Sequence, residues 1–476
     1  MSDERQRLLD HSAFLVAPRD RLVCATIIRP DTAADLAPDV VVQPLLPHDA
    51  ELLLERSRPD LVLVESRAVT AGHPWAGAGE PSVVDPTLRL RDALDTARAH
   101  GVPTVLWWND LGAETPGLIP FERHFDFVIS AGGTAPTAEM TWSPGVQLAR
   151  FGALPDGGER RARPAWHARW DQMPPRRLRM AMERATGGAD RQRPELWIDA
   201  DITARPAWVP PRYAGEPVLR IESTRLGEAY RARSVFIGEG FLATGRAGDV
   251  PPSTLRQLAA GARVVSTRDA RLDDAVGPWI DWVADSDDIF AMLAGDLATQ
   301  ARAPDDQRAL LRRLFLDLDT TASVARLAAL IGLPTETPRR DVCVVASLDE
   351  AVDPRAIVDS VTAQQHRPVE ALLVGGDAAT AARATGELGL VGIRSRHLPS
   401  HTLGGGPAVS AAAFSSAEWT WAWSPSARYE PTFLIDAVIA AIVTGTSVEG
   451  DVMRTPGIDD DRSGMGGATH EAIHVG

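Results

Sequence analysis

The most informative absence in this 476-residue sequence is lysine, because all 49 basic residues are arginines. Without lysine there is neither a Schiff-base lysine nor a P-loop lysine, which excludes pyridoxal enzymes and ordinary P-loop kinases. Arginine remains available to bind phosphate, and its planar guanidinium does so with two parallel hydrogen bonds.

Cysteine and long apolar runs are also scarce. The two cysteines, Cys24 and Cys343, both lie inside apolar stretches and are predicted to be small buried side chains. A disulfide scaffold and a thiolate metal site are therefore excluded. No apolar run approaches the roughly 18 residues that a membrane span needs.

The chain is acidic, with a formal net charge of −15. This argues against a nucleic-acid partner, since such proteins usually present a basic face. One basic stretch, from Arg160 to Arg184, is interpreted as a solvated helix beside a loop. The N-terminal sequence carries charged residues from the third position and lacks the apolar core of a signal peptide. We therefore expect a cytoplasmic protein.

Short apolar runs alternate with amphipathic stretches, which is typical of parallel α/β sheets. The first part of the chain has predicted strands at residues 22–28, 60–66, 103–108 and 125–130. After an Arg- and Pro-rich connector at 156–192, predicted strands follow at 194–200, 234–240, 262–267 and 278–284. Amphipathic helices at about 305–331 are expected to close this second part.

A chain of this length is expected to form two or three domains. The pattern predicts an N-terminal domain at 1–155, a second domain at 156–332 and a smaller α/β domain at 338–455. The segment between the last two contains two prolines and has no periodicity, as expected of a linker. The tail at 456–476 also lacks periodicity and is predicted to be disordered.

Three stretches together resemble the CgeB-like, spore-maturation-type glycosyltransferases. They are RPDLVLVESRAVTAGHPW, HGVPTVLWWNDLGAETPGLIPFERHFDFVIS, and LGEAYRARSVFIGEGF followed by STLRQLAAGARVVST. The resemblance covers residues 20–330. It implies a GT-B fold of two facing Rossmann-like domains, with an acceptor on the first and a nucleotide-diphosphate sugar on the second.

The third segment resembles a different lineage, the GT-A domains of family-2-type glycosyltransferases. DVCVVASLDEAVDPRAIVDSVTAQQHRPVEALLVGGD is similar to their opening strand, helix and nucleotide-binding strand, and SSAEWTWAWSPSARYEPTFLIDAVIAA to their later strand and helix. This implies a truncated, smaller C-terminal α/β domain of GT-A type.

Two departures from these families concern the residues that bind ligands. The GT-B family has a ribose-binding Glu five residues before the turn glycine, a position that is Arg256 here. The GT-A metal motif is replaced by Ser424-Pro425-Ser426, and hard divalent cations need anionic oxygen ligands. Glu430 is the only carboxylate nearby, so we expect no metal site and no cofactor beyond the donor substrate.

Ligands of open α/β sheets lie beyond the carboxyl ends of the strands. In the first domain these ends carry Glu65 with Ser66, and Asn109 with Asp110. Asp110 and Glu65 are the candidate catalytic bases for sugar transfer, and His124 is a third. The alternatives are that Asp110 caps a turn and that Glu65 and His124 have structural roles.

In the second domain the predicted nucleotide-sugar site begins with the Gly-rich loop that opens at Gly238, Glu239 and Gly240. Thr254 and Gln257 have the spacing of a helix capping box, at a helix N-terminus that would also attract a diphosphate. Arg256 is predicted to lie in the first turn of this helix, where a cation opposes the helix dipole unless an anion binds. Ser266 ends the next predicted strand.

The sequence therefore predicts a metal-independent glycosyltransferase whose partners are a nucleotide sugar and an acceptor that the sequence does not name. The alternative is a non-catalytic pseudo-glycosyltransferase that acts as a binding or scaffold subunit for an active enzyme. A partner glycosyltransferase and a second copy of this chain are both compatible with that role. Trp75 and Trp208, in Gly/Pro-rich loops, are candidates for stacking on a sugar or for anchoring the loops.

Overall fold

The chain forms two compact units, Met1–Thr337 and Pro338–Gly476. The structure is a computed structural model that describes residues 21–70, 72–109, 115–130, 140–154, 160–161, 163–167, 194–199, 219–238, 252–284, 302–333, 340–349, 353–400, 414–417, 419–424, 427–444 and 472–474. The second unit begins where the sequence predicts the third domain.

The first six strands form a parallel sheet in the order β2-β1-β3-β4-β5-β6. They are β1 (Val23–Ile27), β2 (Val41–Pro44), β3 (Leu61–Glu65), β4 (Thr104–Trp108), β5 (Phe127–Ser130) and β6 (Met140–Thr141). All residues of β1, β3 and β4 are buried, as expected of parallel strands covered on both faces. The strand order reverses between β1 and β3, which places a crevice at their carboxyl ends.

Three helices flank this sheet: α1 (Pro30–Leu36), α2 (Ala50–Ser57) and α3 (Val84–Ala99). Two 3₁₀ helices, Ser66–Val69 and Pro116–His124, follow β3 and β4 respectively. The buried face of α3 includes the apolar positions that the helical spacing predicts, Leu90, Leu94 and Ala97. Gly101 follows the helix with a φ of 69°, a conformation that glycine adopts without strain.

The second sheet is also parallel, in the order β12-β11-β10-β7-β8-β9. Its strands are β7 (Ala165–His167), β8 (Glu195–Asp199), β9 (Leu219–Ile221), β10 (Val235–Ile237), β11 (Arg263–Thr267) and β12 (Ile280–Val283). Strand β7 lies at the centre of the sheet, although the sequence predicts a connector there. That prediction was wrong because three residues are too few to show a period.

The helices of this part are α4 (Leu148–Phe151), α5 (Leu226–Arg231), α6 (Pro252–Ala259), α7 (Ala270–Val276), α8 (Pro304–Asp317) and α9 (Thr320–Leu330). Short 3₁₀ helices lie at Ser223–Arg225 and Gly277–Trp279. Helix α8 contacts the end of α6, where Gln307 Nε2 donates to the Ala259 carbonyl at 3.4 Å.

Helix α9 packs on the first sheet. Its residues Val324 and Leu327 share one apolar cluster with Cys24, Leu63 and Trp107 of that sheet. The expectation that both late helices close the second part is therefore wrong for α9. The chain crosses between the two sheets twice, first after β6 and again between α8 and α9. The two crossing segments meet where Val146 N donates to the Leu318 carbonyl at 2.8 Å.

The crossing point requires a glycine. Gly145 has a φ of 70°, and a Cβ there would lie 2.3 Å from the Leu318 carbonyl oxygen. No side chain fits at that distance, so the close approach of the two crossing segments depends on this residue.

The second unit contains one sheet in the order β15-β14-β13-β16-β17. Its strands are β13 (Val342–Ser347), β14 (Glu370–Val374), β15 (Arg394–Leu398), β16 (Trp419–Trp423) and β17 (Ala472–His474). All described pairs are parallel except β16 with β17. Strand β17 lies within the predicted disordered tail, so that prediction was wrong for these three residues.

Three helices accompany this sheet: α10 (Pro354–Thr362), α11 (Ala378–Leu390) and α12 (Phe433–Thr444). An apolar cluster on one face of the sheet includes Cys343, Leu372 and Leu398. In the described parts of both units, no helix has the length and apolarity needed to cross a membrane.

Candidate functional site

Glu65 ends β3 beside the point where the strand order of the first sheet reverses. Its side chain is buried, and its Oε2 accepts a hydrogen bond from Arg29 N, after β1, at 2.8 Å. Its Oε1 accepts from Asn109 Nδ2, after β4, and Ser66 Oγ donates to Asn109 Oδ1 at 3.1 Å. The structure thus brings together Glu65, Ser66 and Asn109, three of the residues that the sequence places at the carboxyl ends of these strands.

The surroundings of Glu65 raise the pKa of its carboxyl group. Burial raises the pKa of its carboxyl group, and the negative charge of Asp31 raises it further. The hydrogen bond from Arg29 N, the charge of Arg67 and the bond from Asn109 oppose that shift. A carboxyl group whose pKa is moved towards neutrality is suited to accept and return a proton.

The two other candidate bases are Asp110 and His124. Asp110 lies outside the described residues. His124 precedes β5 and therefore lies at the amino edge of the sheet, opposite the edge that carries Glu65. Burial and the neighbouring charges of Arg91 and Arg123 lower the pKa of His124.

In the second sheet, Gly238 follows β10 at the point where the strand order reverses. Its N–H donates to the Val265 carbonyl at 2.8 Å, and a Cβ there would lie 2.8 Å from Val264 Cγ1. The close packing therefore requires glycine. Glu239 and Gly240, the next two residues of the predicted loop, lie outside the described residues.

His167 ends β7, the strand beside β10, and is a residue that sequence reasoning missed. Its Nδ1 lies 2.7 Å from Tyr230 Oη, and its side chain is buried. The carboxyl end of β7 is half of the crevice at this switch point. Recognising β7 as a strand would have revealed this residue.

The start of α6 differs from the prediction. The helix begins at Pro252, so Thr254 is its third residue and cannot be the capping residue of a box with Gln257. Thr254 is 0% exposed and Gln257 1% exposed. Among the described residues, neither Thr254 Oγ1 nor the Gln257 side-chain amide finds a hydrogen-bond partner. The predicted capping box is therefore wrong.

Thr254 is the third residue of α6 and Gln257 the sixth, so these polar groups lie along the helix and not only at its start. Ser253 Oγ is also buried and lacks a partner among the described residues. Each buried polar group without a hydrogen bond costs about 1–3 kcal/mol, which oxygen atoms of a ligand would offset. The backbone N–H groups of a helix N-terminus favour an anion. Ser266, at the carboxyl end of the adjacent β11, is buried, and its Oγ donates to the Thr267 carbonyl at 3.2 Å.

Arg256 is the fifth residue of α6, in its last turn, and not in the first turn as predicted. A cation near the end of a helix is favoured by the helix dipole, so the predicted conflict does not arise. Its buried guanidinium forms an ion pair with Asp35, lies 3.6 Å from Asp31 Oδ2, and has its Cζ 5.4 Å from the Phe151 ring centroid. These contacts balance the charge of Arg256 within the protein, so its position does not require a bound anionic ligand.

The ion pairs belong to a larger group that we call the Asp35 cluster: Asp31 and Asp35 of α1, Arg150 of α4 and Arg256 of α6. Arg150 also pairs with Asp35 and lies over the Phe151 ring at 4.8 Å. Burial alone would lower the pKa of Arg256, but the carboxylates of Asp35 and Asp31 more than offset this and keep it above its ordinary value. The cluster joins α1 of the first sheet to α6 of the second.

The structure also places two other residues that the sequence singled out, Trp75 and Ser424. Trp75 is fully buried, and its Nε1 donates to the Leu45 carbonyl at 2.7 Å, so it anchors its loop and does not offer a ring to a sugar. Ser424 follows β16, and its N–H donates to Tyr429 Oη at 2.9 Å. Within the described residues, no three His, Cys, Asp or Glu side chains are placed to hold a metal ion.

No family model matches this sequence, and no curated protein is detectably similar to it. Several solved structures are similar over part of the chain. Anabaena HepE, solved in complex with UDP, has a TM-score of 0.40 at 11% identity, covering 68% of this chain and 96% of its own. AviGT4, a glycosyltransferase involved in avilamycin A biosynthesis, has a TM-score of 0.34 at 12% identity, covering 68% and 86%.

The trehalose-6-phosphate synthase of Burkholderia multivorans has a TM-score of 0.34 at 14% identity, covering 60% of this chain and 76% of its own. These TM-scores lie below 0.5, and likenesses of this size do not establish a shared activity. The strand orders and pairings above define this protein as a mixed α/β fold with parallel sheets.

Proposed function

We propose that this chain is a glycosyltransferase that moves a sugar from a nucleotide-diphosphate donor to an acceptor, without a metal ion. The observation that carries the proposal is a set of polar side-chain atoms on α6, Ser253 Oγ, Thr254 Oγ1 and the Gln257 amide, that are buried and have no hydrogen-bond partner among the described residues. The helix that carries these atoms is the one that follows β10 along the chain. A diphosphate would supply the hydrogen-bond acceptors that the two hydroxyls lack and the negative charge that a helix N-terminus favours.

The residues of the first sheet are assigned to the acceptor. Glu65, with its raised pKa and its contacts to Asn109 and Arg29, is the proposed proton acceptor for the attacking hydroxyl. Asp110, which follows Asn109 in the sequence, keeps its proposed role as an alternative base. The CgeB-like and GT-A-like relationships and a cytoplasmic location belong to this proposal and rest on the sequence features described above.

The first test is nucleotide binding by the full-length protein. Calorimetric titration with UDP, dTDP and GDP is expected to show binding of at least one. Thr254→Val should weaken that binding about tenfold or more, because a hydrogen bond to a charged group contributes about 1.5–3 kcal/mol. The same change should leave the melting temperature unchanged or raise it, since it removes a buried hydroxyl without a described partner.

Thr420→Val is a matched control, because Thr420 is also buried and its Oγ1 also lacks a partner among the described residues. Thr420 lies on β16 in the second unit, so its change should leave nucleotide binding intact. If Thr254→Val and Thr420→Val weakened nucleotide binding equally, the result would contradict a nucleotide site on α6.

The second test concerns metal independence. Titration of the full chain with Mn²⁺ is expected to show no micromolar binding, because the segment after β16 that replaces the metal motif begins with Ser424 and offers no carboxylate pair. Micromolar binding that Glu430→Gln abolishes would contradict this expectation.

A second function, a non-catalytic scaffold for an active glycosyltransferase, is supported by the commitment of Arg256 to ion pairs with Asp35 and Asp31. The residue at the family's ribose-binding position is then structural. If no nucleotide diphosphate binds the wild-type protein at millimolar concentration, the scaffold replaces the enzyme as the proposed function.

A further inference from the structure

A cavity of about 240 Å³ lies in the first unit, and its described lining includes none of the residues assigned to sugar transfer. It is bounded by the segment that follows β3 and by the start of the 3₁₀ helix that follows β4. The lining residues are Val69, Thr70, Gly77, Ala78, Glu80, Val83, Thr115, Gly117 and Leu118.

The walls of this cavity are closely packed against each other. A Cβ on Gly117 would lie 2.8 Å from Glu80 Cα, and a Cβ on Gly79 would lie 2.6 Å from Leu118 Cδ2. Thr87 Oγ1 donates to the Val83 carbonyl at 2.7 Å and ties this segment to α3. The cavity is therefore part of the folded structure and does not depend on one side chain's rotamer.

The described lining combines one carboxylate with hydroxyl-bearing and apolar residues. Among the described residues that line it, Glu80 is the one with an ionisable side chain, and none is an arginine or a histidine. Among the described residues, the Glu80 carboxylate makes neither a hydrogen bond nor an ion pair, and the residue is partly exposed. Thr70 and Thr115 add hydroxyl groups, and the rest of the lining is apolar or glycine.

Exposed apolar side chains occur in and next to the chain segments that line the cavity. Val83, which lines the cavity, is 36% exposed, and three residues close to lining residues in the sequence, Val84, Leu88 and Ile119, are 64%, 47% and 49% exposed. They make up half of the eight large apolar residues that are exposed in the described chain. An exposed apolar group beside a pocket is typical of a ligand-binding surface.

We propose that this cavity binds a small amphiphilic amine, with its ammonium group at Glu80 and its alkyl portion against the apolar lining residues Val83 and Leu118. An anionic ligand would meet the Glu80 carboxylate, and the described lining offers no cation to balance the two negative charges. A neutral alcohol would leave the carboxylate without a counter-charge. This proposal goes beyond the proposed sugar transfer, because the amine would bind at a separate set of residues and would not need a bound nucleotide.

The test uses three probes of equal chain length on the full-length protein: hexylammonium, 1-hexanol and hexanoate. Calorimetry or ligand-observed NMR is expected to show hexylammonium binding about tenfold tighter than hexanol, with hexanoate weakest. Propylammonium should bind several-fold more weakly than hexylammonium, since it buries fewer methylene groups.

Two variants locate the site. Glu80→Gln keeps the shape of the side chain and should reduce hexylammonium binding to the level of hexanol. Glu55→Gln, on the exposed surface of α2, removes the same charge elsewhere and should leave binding unchanged. Equal effects of the two variants would show general attraction to an acidic chain and would overturn the proposal. So would equal binding of the three probes by the wild type, a result that does not depend on either variant folding.

Discussion

Replacing Asp35 with alanine is expected to lower the free energy of unfolding by about 3–5 kcal/mol. Asp35 is fully buried and forms ion pairs with both Arg150 and Arg256. Its removal leaves the guanidinium groups of Arg150 and Arg256 with Asp31 as the one carboxylate of the cluster. This lowers the stability of the folded state, because buried charges need partners. Urea unfolding followed by circular dichroism would measure the change.

Asp85→Ala is the matched control for this prediction. Asp85 pairs with Arg89 at 3.3 Å on α3, but its side chain is 78% exposed. Exposed pairs contribute about 0–1 kcal/mol, so this change should have little effect. A loss below 1 kcal/mol for Asp35→Ala would show that the Asp35 cluster does not stabilise the contact between α1 and α6.

The second large effect is expected at Trp142, which joins α9 to the first sheet. Its Nε1 donates to the Ser323 carbonyl at 2.8 Å, and its ring meets Trp107 edge to face with centroids 4.9 Å apart. Trp142→Ala should lower the free energy of unfolding by about 3–5 kcal/mol, because it leaves a large cavity in a packed core.

Trp142→Phe separates the two contributions. It keeps an aromatic ring near Trp107 but removes the donor to Ser323, so it should cost about 1–3 kcal/mol. If both variants are as stable as the wild type, α9 does not depend on this contact. Thermal or urea unfolding of the three proteins would decide.

The sequence predicted much of the two larger sheets, because parallel strands covered on both faces are continuous apolar runs. Strands β1, β3, β4 and β11 all lie within the residues predicted for them. It missed β7, since Ala165–His167 is short and follows a proline. It could not place α9, because an amphipathic pattern shows that a helix has an apolar face but not which sheet that face covers.

The sequence likewise predicted one part of the candidate site and not the rest. Glu65 and Asn109 were found because the carboxyl ends of neighbouring parallel strands lie close together. The start of α6 was placed two residues late, although a proline at the first helical position is a known signal that Pro252 supplied. The Asp35 cluster was beyond prediction, because Asp35 and Arg256 are 221 residues apart in the sequence.

The return of α9 to the first sheet has a consequence for biosynthesis. Trp142 and Ser323, which bond across that contact, are separated by 181 residues, so the sheet emerges from the ribosome long before its covering helix. At about 5–20 residues per second, translation of that interval takes roughly 10 to 35 s. Throughout that time the nascent sheet leaves an apolar face uncovered, which makes the amino-terminal third of the chain a natural client for chaperones during translation.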